Sequence, residues 1–259
     1  MTALATFLRR NTISEASPLP LVHTTRSYNI SDIKNKNTIT KSPCRHFDGQ
    51  DLVYLFVGRP AYRRKNTESE AAYWELPCCF IFDSIDQSSV ERTFPFDSGA
   101  FKDNLYPSYI NFMNINEFEA SSPVAPSRII SAFYGSSEKY FSGQNKGPEA
   151  INDEFQLGPL DAEIKALARL ASDGTPKDFD DRRFTIEVQL NQNIDLNVTP
   201  PSAVVIPSIY LRDEDIRNKI TKTWGADAIT YEIYGLSQDK YDGIIYSKVA
   251  EYYKSRNLV

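Results

Sequence analysis

Arg182-Arg183-Phe184-Thr185-Ile186-Glu187-Val188-Gln189-Leu190 alternates apolar and polar residues with a period of two, the pattern of a strand with one buried face. In that register Phe184, Ile186, Val188 and Leu190 face a core, while Thr185, Glu187 and Gln189 share the opposite face. An acid at a strand centre is disfavoured by β-propensity, so Glu187 asks either for a water-facing surface or for a cleft that uses it. The ordinary antiparallel design supplies the water-facing surface.

Immediately upstream lies the clearest helix. Pro159 suits a first-turn position, Leu160, Ile164, Leu167 and Leu170 fall on one face of Pro159–Ala171, and Gly174 and Pro176 close the segment. Downstream, 191–201 is a polar connection and Ser202-Ala203-Val204-Val205-Ile206-Pro207 reads as a short buried strand. Asp213-Glu214-Asp215 puts acids at the positive end of a helix running to Trp224. Ala228–Tyr234 is a last strand and Lys240–Ser255 a closing helix.

Nearer the start, residues 1–18 form a polar lead-in with a short helix, and Leu19–Thr25 is a first strand with Pro20 at its beginning. Ser27 is placed to cap a brief helix over 27–36, with Tyr28, Ile30 and Ile33 as its stripe. The apolar run Leu52-Val53-Tyr54-Leu55-Phe56-Val57 is a buried strand that delivers Gly58-Arg59-Pro60-Ala61-Tyr62-Arg63-Arg64 at its end, the densest cationic and aromatic cluster in this half. Leu76–Phe82 is a further buried strand. Thr93–Phe101 is aromatic and turn-rich, with Asp97-Ser98-Gly99 read as a tight turn. Residues 102–150 have weak periodicity, a helix around Ser127–Tyr134, and the character of an insertion covering a cleft. Strands and helices mix without regular βαβ alternation, which predicts an α+β fold: a single domain over 19–259 behind the 1–18 lead-in.

A formal charge of −5 and a pI near 5.2 argue against a broad phosphate-binding surface, because non-specific nucleic-acid affinity comes from neutralising phosphates with Lys and Arg. Cys44, Cys78 and Cys79 make neither a disulfide framework nor a zinc spacing. An odd count fits a reducing compartment, so a cytoplasmic location is expected. The first ten residues lack the charge order and apolar length of a secretory signal, and no run approaches the ~20 apolar residues of a membrane helix. No internal repeat is present, which removes solenoids and propellers.

Three polar groups sit on strands or at strand ends: His23 with Thr24 and Thr25, Arg59 with Tyr62, and Glu187. The order Leu21-Val22-His23-Thr24-Thr25-Arg26-Ser27-Tyr28, then Tyr54-Leu55-Phe56-Val57-Gly58-Arg59-Pro60-Ala61-Tyr62, then Ile186-Glu187-Val188-Gln189-Leu190 before Ala203-Val204-Val205-Ile206-Pro207 resembles the ADP-ribosyltransferase superfamily, particularly its toxin-like branch that modifies nucleic acid. These segments cover about a quarter of the chain. The resemblance implies a split, mostly antiparallel sheet with peripheral helices, and NAD as the substrate. The chain departs from the more familiar pattern at Thr185, where a second Glu or Gln often stands, and Gln189 follows the acid instead, which leaves the acceptor open.

Under that resemblance Glu187 is the catalytic acid. Breaking the nicotinamide–ribose bond builds positive charge on the sugar, and a carboxylate on a sugar hydroxyl stabilises it. Arg59 would pair with the dinucleotide phosphates, His23, Thr24 and Thr25 would hold the other ribose, and Tyr62 or Tyr54 would stack on nicotinamide. The implied partners are NAD, a macromolecular acceptor that is protein or nucleic acid, and an antitoxin or immunity protein, with no membrane. Plain structural roles stay open beside these: a satisfied core histidine for His23, a surface cation for Arg59, a core ring for Tyr54. Two other readings compete. A metal-dependent nuclease would use Glu187 and Gln189 with Asp83. A non-catalytic interaction protein would present the aromatic region 94–141 as its surface.

Overall fold

In the computed structural model, which describes residues 1–61, 70–173 and 181–259, the strand Pro77–Phe82 is buried at every position. Its six residues carry no charge; all six pair on one side, and Cys79, Phe80 and Ile81 pair on the other, as a central strand requires. Leu21–Arg26 runs antiparallel beside it from Leu21↔Phe82 to Arg26↔Pro77. On its other side Ala203–Pro207 is antiparallel with Cys79 opposite Val205, and Asp227–Tyr231 lies parallel to that strand. The helix Gln238–Ser255 packs on Pro77–Phe82 and buries Tyr241, Ile245, Val249 and Tyr253, a spacing of four that keeps one face inward. Phe80 is fully buried, so its truncation to Ala would cost about 3–5 kcal/mol.

These strands belong to a sheet unit made of Pro20–Ser89 and Leu190–Asn257. A further strand, Asp51–Val57, is the buried run expected from the sequence, and meets Leu21–Arg26 at Leu21↔Val57 and Val22↔Phe56. Beyond Val22 the two strands part, so the ladder is split at His23. Gly58, at φ +65°, turns the chain out of the strand. Ser27 does not cap a helix: its hydroxyl donates to the Leu76 carbonyl at 2.9 Å, and a 3-10 turn, Ser27–Asn29, precedes the helix Ile30–Lys36. Asp213 does cap, accepting from the N–H groups of Asp215 and Ile216 at 2.9 and 3.1 Å at the start of Glu214–Asn218.

Met1–Leu19, Val90–Gln189 and Leu258–Val259 form a second, aromatic unit. Both the lead-in 1–18 and the stretch 102–150 lie in it. The lead-in is part of the packing, since Ala3–Arg10 is a helix with Leu4, Phe7 and Leu8 buried. Around Phe96 the rings of Phe101, Tyr106 and Phe118 stand 5.2–5.6 Å away, an aromatic core in offset and edge-on contact. This corrects the view of 94–141 as an exposed recognition surface: Phe94, Phe96, Phe101, Phe118, Phe133, Tyr140 and Phe141 are buried, and Phe112 is the exposed exception. The helix after Pro159 begins later than expected, at Ala162–Ser172, so Leu160 falls in the preceding turn and is 95% exposed. Gly174 and Pro176, its expected stop, lie outside the described residues.

The chain is thus mixed α and β, with a mostly antiparallel, open sheet. No helix among the described residues is long and apolar enough to cross a membrane.

Candidate functional site

Glu187 does not face water. The expected nine-residue strand is shortened, because Asp181–Phe184 winds into a 3-10 turn and Thr185 N–H closes on the Arg182 carbonyl at 3.1 Å. The strand proper is Glu187–Leu190, and all four residues are buried. Alternation survives, but the second face is lined by protein: Thr185 is 4%, Glu187 1% and Gln189 0% exposed. The water-facing reading of this strand is therefore wrong.

What meets the acid is Ser98, 89 residues earlier, whose N–H donates to Glu187 Oε2 at 3.2 Å and whose hydroxyl donates to Oε1 at 2.7 Å. Gln189 Nε2 adds a donor to Oε1 at 2.6 Å and reaches Ser98 Oγ at 2.9 Å. Ser98 is held in place because Asp97-Ser98-Gly99 is the start of a helix, Ser98–Lys102, rather than the tight turn read from sequence. Asp97 caps it through Oδ1 to Ala100 N–H at 2.7 Å, and Asp97 Oδ2 pairs with Arg182 Nη1 at 2.6 Å. The nearby guanidinium is thus engaged with Asp97.

Burying a carboxylate without a cation is costly, and the protonated form is favoured. Desolvation pushes Glu187 up to about 8, the Asp97 charge pushes the same way, and the bonds from Ser98 and Gln189 offset only part of it. Gln189 Oε1 is buried with no hydrogen-bond partner among the described residues. A carboxyl poised near neutrality can exchange a proton with a reacting group, or, once ionised in a dry site, stabilise a developing cation far more strongly than in water.

The sheet unit holds the other expected groups. At the split in the ladder, His23 Nδ1 lies 3.0 Å from the Tyr54 carbonyl. A carbonyl only accepts, so Nδ1 carries the proton and Nε2 keeps its lone pair in the neutral ring. Burial lowers the His23 pKa and so favours the neutral ring, while the bond to the Tyr54 carbonyl offsets part of this. Thr24 donates its hydroxyl to the Ala61 carbonyl, two residues beyond Arg59, tying the strand to the Arg59 turn. Thr24 Oγ1 is left to accept only. Thr25 Oγ1 accepts from Asn29 Nδ2 at 2.8 Å. The Tyr54 hydroxyl donates to Cys44 Sγ at 2.7 Å, and Arg59 lies 5.4 Å from the Tyr246 ring centroid. Tyr62, with Arg63 and Arg64, lies outside the described residues.

His23, Thr24, Thr25, Tyr54 and Arg59 are therefore neighbours in the sheet unit, while Glu187 belongs to the aromatic unit. The sequence reading took Asp97 and Ser98 only as part of a turn; an Asp followed by small residues suits a helix cap as well as a turn. The metal-nuclease arrangement gains nothing: Asp83 is paired with Arg256 at 2.8 and 3.0 Å, and no cluster of three or more metal-type ligands occurs among the described residues. Comparison with protein-family models, with curated proteins and with solved structures finds no match to this chain.

Proposed function

We propose that this chain is an NAD-dependent ADP-ribosyltransferase, with Glu187 as the acid that stabilises the sugar cation. The observation that carries the reading is the setting of Glu187: 1% exposed, with Ser98 and Gln189 as its hydrogen-bond donors and, among the described residues, no cation on it. Such a carboxyl costs stability as soon as it ionises, a cost that a purely architectural residue has no reason to carry. A substrate that develops positive charge reverses the balance, because the cation draws Glu187 into its ionised form.

In the reaction the bond between the nicotinamide nitrogen and the ribose carbon breaks, its electron pair leaves with neutral nicotinamide, and an acceptor oxygen or nitrogen bonds to that carbon and gives up its proton. Arg59 suits the phosphates, and His23 Nε2 with Thr24 Oγ1 supplies acceptors for ribose hydroxyls. Thr25 would assist them, with Tyr54 or Tyr62 against the nicotinamide ring. The acceptor is a macromolecule, protein or nucleic acid, and a cytoplasmic toxin or defence effector with a neutralising partner protein is the setting that fits.

The test is nicotinamide release from NAD by the purified chain, with protein, RNA and DNA supplied as acceptors. Release is expected, and Glu187→Gln is expected to lower it at least ~100-fold, the usual size of a lost electrostatic stabiliser. No release with any acceptor, or equal release by the variant, overturns the reading.

A further inference from the structure

At one end of the sheet unit a cavity of about 540 Å³ opens where three strands start or stop. Residues 83–86 follow Pro77–Phe82, 200–202 lead into Ala203–Pro207, and Trp224 and Gly225 lead into Asp227–Tyr231. Its volume falls within the roughly 300–1,000 Å³ common to ligand pockets. The site is preformed: Ser202 N–H donates to the Ile81 carbonyl at 2.7 Å and Asp227 N–H to the Ser202 carbonyl at 3.0 Å, which ties the three strands together at this end. The Trp224 indole N–H is fixed on Asn37 Oδ1 at 3.1 Å. A smaller cavity of about 180 Å³ adjoins it, with Ile85, Asp86, Val198 and Thr199 in both walls, and adds Asp195.

Among the described residues the two walls hold three carboxylates, Asp83, Asp86 and Asp195, and no Lys or Arg. The Ser88 hydroxyl and N–H donate to Asp86 at 2.7 and 2.9 Å, and these bonds hold its carboxyl below the ordinary range, so it is ionised at neutral pH. The Asp195 carboxylate takes its donors from Asn197. Asp83 shows what such a wall accepts, because it holds the Arg256 guanidinium by two bonds of 2.8 and 3.0 Å. A cleft lined by one sign of charge focuses its field on an incoming ion, and an indole in the wall favours a cation further. Val198, 78% exposed, and Pro200 give the larger cavity apolar surface, which a bare metal ion cannot use and a peptide can. Three carboxylates repel a phosphate backbone.

We propose that these two cavities form a docking groove for an extended basic segment of a partner protein, with one Arg or Lys entering the larger cavity at Asp86 and another reaching Asp195 in the smaller. The groove is independent of the NAD chemistry assigned to Glu187, and its test reads binding rather than turnover.

The full chain is titrated at fixed ionic strength with a fluorescein-labelled peptide that alternates Arg with Val and Pro. Its Glu-for-Arg counterpart and a labelled single-stranded DNA of equal length are titrated in parallel. Saturable binding of the basic peptide is expected in fluorescence anisotropy, weakened about tenfold when Asp86→Asn and Asp195→Asn are combined. Both side chains are exposed and Asn keeps an acceptor oxygen, so the variant keeps the fold. Glu138→Gln combined with Glu149→Gln removes the same charge from the aromatic unit and is expected to leave binding unchanged. The groove is overturned by no saturable binding, by binding undiminished without the two Asp carboxylates, or by equal weakening in both double variants. Binding of the Glu peptide or the DNA as tight as that of the basic peptide overturns it too.

Discussion

The Glu187 cluster and the His23 split solve opposite problems with similar parts. Around His23 the polar side chains lean on backbone carbonyls: the imidazole on Tyr54 and the Thr24 hydroxyl on Ala61. The first bridges the place where the strand ladder has opened and the second ties the strand to the turn after Val57, so the groups stabilise the fold whatever else they do. Around Glu187, apart from the Ser98 N–H, the bonds join side chains to each other, Ser98 to Glu187 and Gln189 to both, and leave the Gln189 carbonyl oxygen without a partner among the described residues. That cluster is held by the fold more than it holds the fold. Polar networks of this kind are where stability is given up for reactivity.

The largest expected effect breaks that contrast directly. Glu187→Gln should abolish transfer while raising stability near neutrality. The sign follows from the raised pKa: a Glu that titrates at 4.5 in the unfolded chain and at about 8 in the fold contributes stability fully present below 4.5 and lost as pH rises through about 8. Gln cannot ionise, so the variant should gain up to about 3 kcal/mol at pH 7, and its melting temperature should fall less between pH 5 and 8. Thermal denaturation across that range checks it; a lower melting temperature for the variant at pH 8 contradicts the assignment.

Next in size is Gln189→Leu, which removes the 2.6 Å donor to the acid. The ionisation of Glu187 should move to still higher pH, and the rising limb of kcat/KM with it, giving about a tenfold loss at pH 7 for a shift of one unit. Carbon NMR of the labelled carboxyl follows the same shift without any substrate. His23→Ala should behave differently: a stability loss of about 1–2 kcal/mol from the abandoned Tyr54 carbonyl, a several-fold rise in the KM for NAD, and no movement of the pH limb. A moved limb would merge the two regions and end the comparison. Leu160→Ser should change stability by less than about 0.5 kcal/mol, since the side chain is 95% exposed.

Much of the sheet unit was legible because its strands are marked by composition. Leu52–Val57, Pro77–Phe82 and Ala203–Pro207 are apolar on both faces, and a run of that kind bounded by Gly or Pro has few other readings. The Glu187 strand was misread because period-two alternation marks polar residues without saying what they face. Water and a Ser98 from 89 residues away leave the same signature. The same limit hid the aromatic core: Phe96, Phe101 and Phe118 lie on short turns and five-residue helices, too brief for a 3.6-residue period to show. Glu187, His23, Thr24, Thr25, Tyr54 and Arg59 were all nameable from sequence as polar groups on strands or strand ends, but the partners that define their chemistry were not.

The sheet unit is built from two stretches of chain, with residues 90–189 between them. During synthesis the strand Pro77–Phe82 leaves the ribosome well before Ala203–Pro207, the neighbour that covers one of its edges, which follows after roughly 120 residues. At about 5–20 residues per second the wait is on the order of ten seconds. Throughout it, Cys78-Cys79-Phe80-Ile81-Phe82 presents an uncharged open edge, the kind that recruits other nascent chains until Ala203–Pro207 arrives.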